Sequence, residues 1–228
     1  MLTDNLKDVQ SRILAACRRS GRDPEEVTLI AVSKTKPASM IEEIYAQGVR
    51  DFGENRPQEI RDKSGILPDD IRWHMIGQLQ TNKVKYVVPR AALIHSVDSV
   101  HLGEAIEKEA AKLGLTVPVL AEVNIAGEES KSGVRPDETE ALVRALAALP
   151  HLRVEGLMTI APFVENGEEN RGCFREMKEL SVDIKAKNID NVTMCRLSMG
   201  MTCDFETAVE EGATLVRVGT AIFGSRNY

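Results

Sequence analysis

The chain of 228 residues carries 29 Lys and Arg against 35 Asp and Glu, a formal charge of −6, and is 43% hydrophobic but only 4% aromatic. That acidic balance argues against a generic nucleic-acid binder, whose phosphate contacts need clustered Lys and Arg. The length suits one α/β barrel or one large sheet, and no apolar run approaches the roughly 18 residues a spanning helix requires.

Leu2, Leu6, Val9, Ile13 and Leu14 recur at helical spacing, so the chain opens on an amphipathic helix ending near Gly21. A β-branched run at 28–33 predicts the first strand. Pro37 follows, then Ser39 with Glu42 three residues on, a capping box for a helix that stops at Gly48. Further strands are predicted over 51–53, 72–76, 92–95, 117–123, 154–159, 192–197 and 215–218. Helices are predicted between them over 57–63, 81–88, 99–113, 136–149, 167–187 and 204–211. Gly114 stops the third of these and Pro136 starts the fourth.

Near-continuous apolar runs such as 117–123 suit strands covered on both faces. An open doubly wound sheet and a closed eight-stranded barrel both accept the alternation. The count of eight strands, with no G-x-G-x-x-G after the first, favours a single (β/α)8 TIM barrel domain over 1–228 behind an extra N-terminal helix.

In such a barrel the reactive groups collect at the C-terminal ends of the strands. Alternation along the first strand puts Ile30, Val32 and Lys34 on one side, so Lys34 leaves an apolar row at the mouth. Desolvation there, with like-charge repulsion from Lys36, favours the neutral amine that attacks an aldehyde; the plainer alternative is a solvated lysine. Asn55 reads as a cap of the next helix before it reads as a ligand group. His74 has no sequence-visible partner, and four histidines without i,i+4 spacing make a metal site weak. At the last two strands, Gly219 and Thr220 would open a short helix toward an anion, Ser198 would add a hydroxyl, and Gly200 would let the backbone approach. An amine and a phosphate site together point to pyridoxal 5′-phosphate, or to a Schiff-base aldolase acting on a sugar phosphate.

The stretches 31–37 (AVSKTKP), 52–56 (FGENR), 73–83 (WHMIGQLQTNK), 95–99 (HSVDS), 127–133 (GEESKSG), 156–159 (GLMT), 197–201 (LSMGM) and 217–224 (RVGTAIFG) resemble the YggS/PROSC family of pyridoxal phosphate homeostasis proteins. The blocks stand in family order across almost the whole chain. The resemblance implies a barrel like the N-terminal domain of alanine racemases, with the cofactor as a Schiff base on Lys34. It assigns phosphate cradling to Ser198, Met199, Gly219 and Thr220, the pyridine nitrogen to Arg217, and the pocket wall to Asn55. A permanent cation at the ring nitrogen disfavours its protonation and makes the cofactor a poorer electron sink.

Racemases of the related fold use a second base, a tyrosine from an appended β-domain. The sequence runs to Tyr228, four residues past Gly224, so that domain is expected to be absent, and Tyr45 and Tyr86 fall in predicted helices. A non-catalytic carrier and buffer that passes the cofactor to apo-enzymes is therefore expected, with a weak amino-acid racemase using His74 as the alternative. Lys36, Lys83 and Lys131 read as solvated lysines rather than a transfer surface. The polar, acidic start is unlike a signal peptide, and the scattered Cys17, Cys173, Cys195 and Cys203 form no C-x-x-C, so a cytoplasmic protein with reduced thiols is expected. The racemase dimer domain being absent, a monomer is expected, with no metal, membrane or nucleic-acid partner.

Overall fold

In the computed structural model, which describes residues 1–128 and 131–224, the opening helix α1 (Leu2–Ser20) buries Leu6, Val9, Ile13, Ala16 and Cys17 along one stripe. It stops at Gly21, which adopts φ 68° and returns its own N–H to the last turn. The strands and helices then alternate: β1 (Thr28–Val32), α2 (Ala38–Tyr45), β2 (Asp51–Glu54), α3 (Pro57–Ser64), β3 (Arg72–Met75), α4 (Val84–Val87), β4 (Ala91–Val97), α5 (Val100–Leu113) and β5 (Val117–Glu122). They continue as α6 (Thr139–Ala147), β6 (Leu152–Met158), α7 (Arg171–Ala186), β7 (Val192–Ser198), α8 (Phe205–Glu210), β8 (Leu215–Val218) and the short α9 (Thr220–Phe223).

All pairings are parallel and β8 returns to β1, closing the barrel in the order β1 to β8. This is the (β/α)8 barrel with an extra N-terminal helix. Side chains alternate across it. Ala31, Phe52, Trp73 and Ile94 face the helices in the main core, while Ile30, Leu93, Leu120, Met158 and Leu215 form a separate apolar cluster inside the barrel. At Gly156 a Cβ would sit 1.7 Å from the carbonyl oxygen of Arg196, so the β6–β7 crossing at this register shift excludes any side chain.

Four helix starts differ from the sequence reading. α2 begins at Ala38 with Pro37 at its cap and no side-chain cap bond, so the Ser39–Glu42 box does not form: Ser39 already lies inside the helix. The segments expected as helices from 81, 136 and 167 each open with a turn of 3-10 helix, Thr81–Lys83, Pro136–Glu138 and Gly167–Asn170, before the α-helix begins. Ser99, in contrast, caps α5 by accepting from the Leu102 N–H at 3.3 Å.

Candidate functional site

A cavity of about 410 Å3 opens at the C-terminal mouth of the barrel, and Lys34, Asn55, Arg217, Gly219 and Thr220 all line it. Lys34 is half-buried just beyond β1. The residues on either side of it are pinned. The Ser33 hydroxyl donates to Oε1 of Glu54 at 2.6 Å, and the Thr35 N–H donates to Oε2 of Glu59 at 2.8 Å with Thr35 at φ 64°. Lys63 on α3 ties these together, donating to the Ser33 carbonyl (2.9 Å), Glu54 (2.7 Å) and Glu59 (2.7 Å). Burial pushes the Glu54 carboxyl up to about 7 despite the pull of Lys63. Burial also works against Glu59, yet the bonds from Lys63 and the Thr35 N–H hold it below its ordinary value. The Lys34 turn is thus fastened by side chains, which a non-glycine residue at positive φ requires.

Lys36 does not stand free beside Lys34. Its ammonium donates to the carbonyls of Phe223 (3.0 Å) and Gly224 (3.2 Å), at the C-terminal end of α9 where a cation is favoured. The solvated reading of Lys36 therefore fails, while Lys131 is exposed and Lys83 half-exposed against the Tyr86 ring. Asn55 is not the cap of α3 either. Arg56 occupies that position, no side chain caps the helix, and Asn55 faces the cavity instead. Gly77 makes this possible, because a Cβ there would lie 2.5 Å from the Asn55 carbonyl oxygen.

Arg217 is 4% exposed and donates from Nη1 to the Ser198 hydroxyl (2.6 Å) and from Nη2 to the Thr159 carbonyl (2.8 Å). Burial pulls it down to about 10, against the nearby charges of Asp204 and Glu122, so it stays a cation at neutral pH. Behind it runs a polar chain through the barrel interior. Ser198 Oγ lies 2.9 Å from His95 Nδ1, His95 Nε2 lies 2.9 Å from His74 Nδ1, and His74 Nε2 lies 3.0 Å from Asp51 Oδ1. Arg72 closes the far end on Asp51 at 2.8 and 2.5 Å.

The two ends of this chain assign every proton. Asp51, although burial opposes it, is held down to about 2 by Arg72 and His74 and only accepts. Burial lowers both imidazoles below their ordinary value, so each is neutral with one N–H. His74 therefore donates from Nε2 to Asp51 and accepts at Nδ1 from His95 Nε2–H. His95 Nδ1 accepts the Ser198 O–H, and Ser198 accepts from Arg217. Consequently the Ser198 hydroxyl proton points into the barrel rather than toward an anion. Ser198 and Met199 are both fully buried and do not line the cavity; Met199 packs in the main core and its N–H bonds Leu215.

Sequence reasoning missed the other walls: Ile160, Pro162 and Phe163 after β6, and 201–204 after β7. It also missed Glu122, a buried carboxyl at the end of β5. Asp204 shapes the second loop, accepting from the Met201 N–H (2.7 Å) and from Asn170 (2.8 Å). Gly200, at φ 89°, allows the same turn, where a Cβ would meet Ala208 Cβ at 2.5 Å.

Both the sequence and the closed barrel match known proteins. The chain belongs to the family described as alanine racemase, N-terminal domain, which it matches over residues 5–227, and within it to the pyridoxal phosphate homeostasis proteins. The protein of that name from Aquifex aeolicus is 46% identical over 226 residues, spanning 99% of this chain and 98% of its own. PipY of Synechococcus elongatus, solved with PLP bound, superimposes with a TM-score of 0.84 at 35% identity over 98% of this chain and 100% of that one. An alanine racemase from Clostridium difficile shares the fold alone, with a TM-score of 0.74 at 15% identity over 99% of this chain and 58% of its own.

Proposed function

We propose that this chain, one barrel domain over 1–228, carries and buffers pyridoxal 5′-phosphate without efficient catalysis, holding it as a Schiff base on Lys34. The observation that carries the reading is one cavity walled by Lys34 at β1 and by Arg217, Gly219 and Thr220 at β8, in a relative of a protein solved with PLP bound. The residues suit the group. A primary amine that could capture an aldehyde lines one side of the cavity, and on another the N–H groups of Thr220 and Ala221 open α9 toward a phosphate, ahead of those of Ile222 and Phe223, which bond the Gly219 carbonyl. When bound, the cofactor supplies an aldehyde that an amine captures and a ring whose electron withdrawal depends on protonation of its nitrogen.

This chain's own residues then divide the work. Glu54, Glu59 and Lys63 fix the backbone on both sides of Lys34. Asn55 stands on the wall between β2 and β3. Arg217 presents a fixed cation, and Ser198 acts through Arg217 rather than on the phosphate. Met199 supports the β7 end from the core. A donor-only guanidinium cannot hand a proton to a ring nitrogen, which weakens the electron sink that racemisation needs.

The racemase alternative loses its second base. Both nitrogens of His74 are engaged inside the barrel, and His74 does not line the cavity. Tyr45 bonds Asp70 at 2.6 Å from the end of α2, and Tyr86 lies in α4. We infer a cytoplasmic monomer that hands its cofactor to apo-enzymes; its four cysteines are free, as reduced thiols would be. The test pairs two assays on the cofactor-loaded protein: reactivation of an apo-enzyme that needs pyridoxal phosphate, and α-proton exchange of L-alanine in deuterated water. Reactivation without exchange is expected. Exchange that turns over many times and vanishes in Lys34→Ala overturns the carrier reading.

A further inference from the structure

Arg217 is a cation sealed inside the barrel, and a buried charge is costly unless an opposite charge answers it. Its bonds go to neutral groups, the Ser198 hydroxyl and the Thr159 carbonyl, and no carboxylate among the described residues bonds it. Asp204 and Glu122 act on it only through space. Asp204 is already engaged by the Met201 N–H and Asn170. Glu122, which burial pushes up to about 7, carries only part of a charge near neutrality. The carboxylate that is joined to Arg217 by hydrogen bonds lies elsewhere.

It is Asp51, at the opposite end of the barrel: Asp51 is the first residue of β2, whereas Ser198 is the last of β7. Every donor between them points the same way. Arg217 donates to Ser198, Ser198 to His95, His95 to His74 and His74 to Asp51, over bonds of 2.6, 2.9, 2.9 and 3.0 Å. Each bond of such a run polarises the next, and the dipoles suit both ends, with lone pairs toward the guanidinium and protons toward the carboxylate. Reversing the run would set a lone pair of His74 against Asp51, two acceptors facing each other. Both imidazoles are buried and held neutral, so no second cation interrupts the chain.

We propose that Asp51, acting through His74, His95 and Ser198, is a remote positioning residue for the cofactor site: its charge, carried across the barrel by the one-way chain, holds the Arg217 guanidinium in the orientation it presents to the cavity. The inference rests on the carrier reading for what Arg217 meets there, whereas the chain belongs to the cofactor-free protein. Two of the five N–H groups of the guanidinium go to Ser198 and Thr159, so fixing those two fixes where the other three point, and Arg217 lines the cavity. Asp51 does not line the cavity, and neither do its partners Arg72 and His74. An effect of Asp51 on a bound cofactor therefore travels through the chain.

The experiment compares wild type, Asp51→Asn and Leu142→Ala. Asp51→Asn keeps the shape and an acceptor for His74 but removes the charge. Leu142→Ala deletes buried core on α6, away from the chain, and controls for lost stability. In cofactor-free wild type, NMR of nitrogen-labelled histidines at about pH 7 is expected to show His74 and His95 neutral, each with its proton on Nε2. Hydrogen exchange of the Arg217 guanidinium should quicken about tenfold in Asp51→Asn and stay within about twofold of wild type in Leu142→Ala. Affinity for pyridoxal 5′-phosphate, from an absorbance titration, should fall about fivefold in Asp51→Asn and by less than about twofold in Leu142→Ala. Circular dichroism checks the folding of each variant. Should Asp51→Asn not fold, His95→Asn takes its place with the same expectations, because it keeps an acceptor for Ser198 while cutting the link to His74. A proton on Nδ1 of either imidazole, or an imidazolium, overturns the proposal. So does unchanged Arg217 exchange, unchanged affinity in a protein that binds the cofactor, or an equal loss in Leu142→Ala. A wild type that takes up no cofactor refutes the carrier reading, and the tautomers and Arg217 exchange of the cofactor-free protein still decide whether Asp51 positions Arg217.

Discussion

The carboxyl of Glu122, buried at the end of β5, makes a quantitative prediction about stability. In the unfolded chain its pKa is near 4.5, and in the folded protein burial raises it to about 7. Between those values the native state holds a proton that the unfolded state has released, so the slope of unfolding free energy against pH is negative. The difference corresponds to about 3 kcal/mol of stability present below pH ~4.5 and lost by pH ~8. Glu122→Gln keeps the shape and removes the titration. Urea unfolding of the wild type and Glu122→Gln should therefore give curves that nearly coincide near pH 5 and separate to about 2–3 kcal/mol near pH 8, with the variant the more stable. Glu54 titrates in the same direction but is common to both proteins, so the difference isolates Glu122. A variant no more stable than wild type near pH 8 would refute the claim that burial raises this carboxyl.

The polar chain inside the barrel yields the other predictions. His95→Ala strands the Ser198 hydroxyl and the Nδ1 of His74, and should lower stability by about 2–4 kcal/mol in urea; a change within about 0.5 kcal/mol would mean that water replaces the imidazole without cost. Asp51 is held at about 2, below its unfolded value of 3.8, so it adds about 2 kcal/mol above pH ~4 that disappears as the pH falls through ~2. Asp51→Asn should thus be less stable near pH 7 by about that amount and converge with wild type near pH 2; a gap that persists in acid contradicts the assignment. Arg217→Lys replaces a two-armed donor with a single ammonium, which cannot reach Ser198 and Thr159 with the same geometry. Its affinity for pyridoxal phosphate, read from an absorbance titration, should fall about tenfold, or ~1.4 kcal/mol, and equal affinity would remove Arg217 from the binding account.

The fold was legible because several strands, such as β1 and β5, are apolar runs covered on both faces, and strands and helices alternate with stops at recognisable glycines such as Gly21 and Gly114. Local boundaries were less so. Ser39 and Glu42 look like a cap, but Pro37 already supplies the entry geometry, and only the position of Gly77 against Asn55 turns that asparagine from a cap into a wall. The Lys34 turn was found by alternation along one strand. The same alternation sends His74, His95, Ser198 and Arg217 inward on four other strands, but their partners lie 21 and 103 residues apart, so the closed chain appears only once the barrel is assembled. Glu122 escaped because its burial at the end of β5 is a product of the assembled barrel, which the pattern along one strand does not display.

The central claim, that Lys34 carries the cofactor, is tested most directly by covalent capture. Purified protein is loaded with pyridoxal 5′-phosphate, reduced with borohydride and digested, and the phosphopyridoxyl adduct is located by peptide mass spectrometry, with Lys34→Ala in parallel. The account predicts an absorbance band of the bound cofactor, one dominant adduct on Lys34, and loss of both in the variant. An adduct spread over Lys83, Lys131 and other exposed lysines, or a variant that captures the cofactor as wild type does, would contradict it.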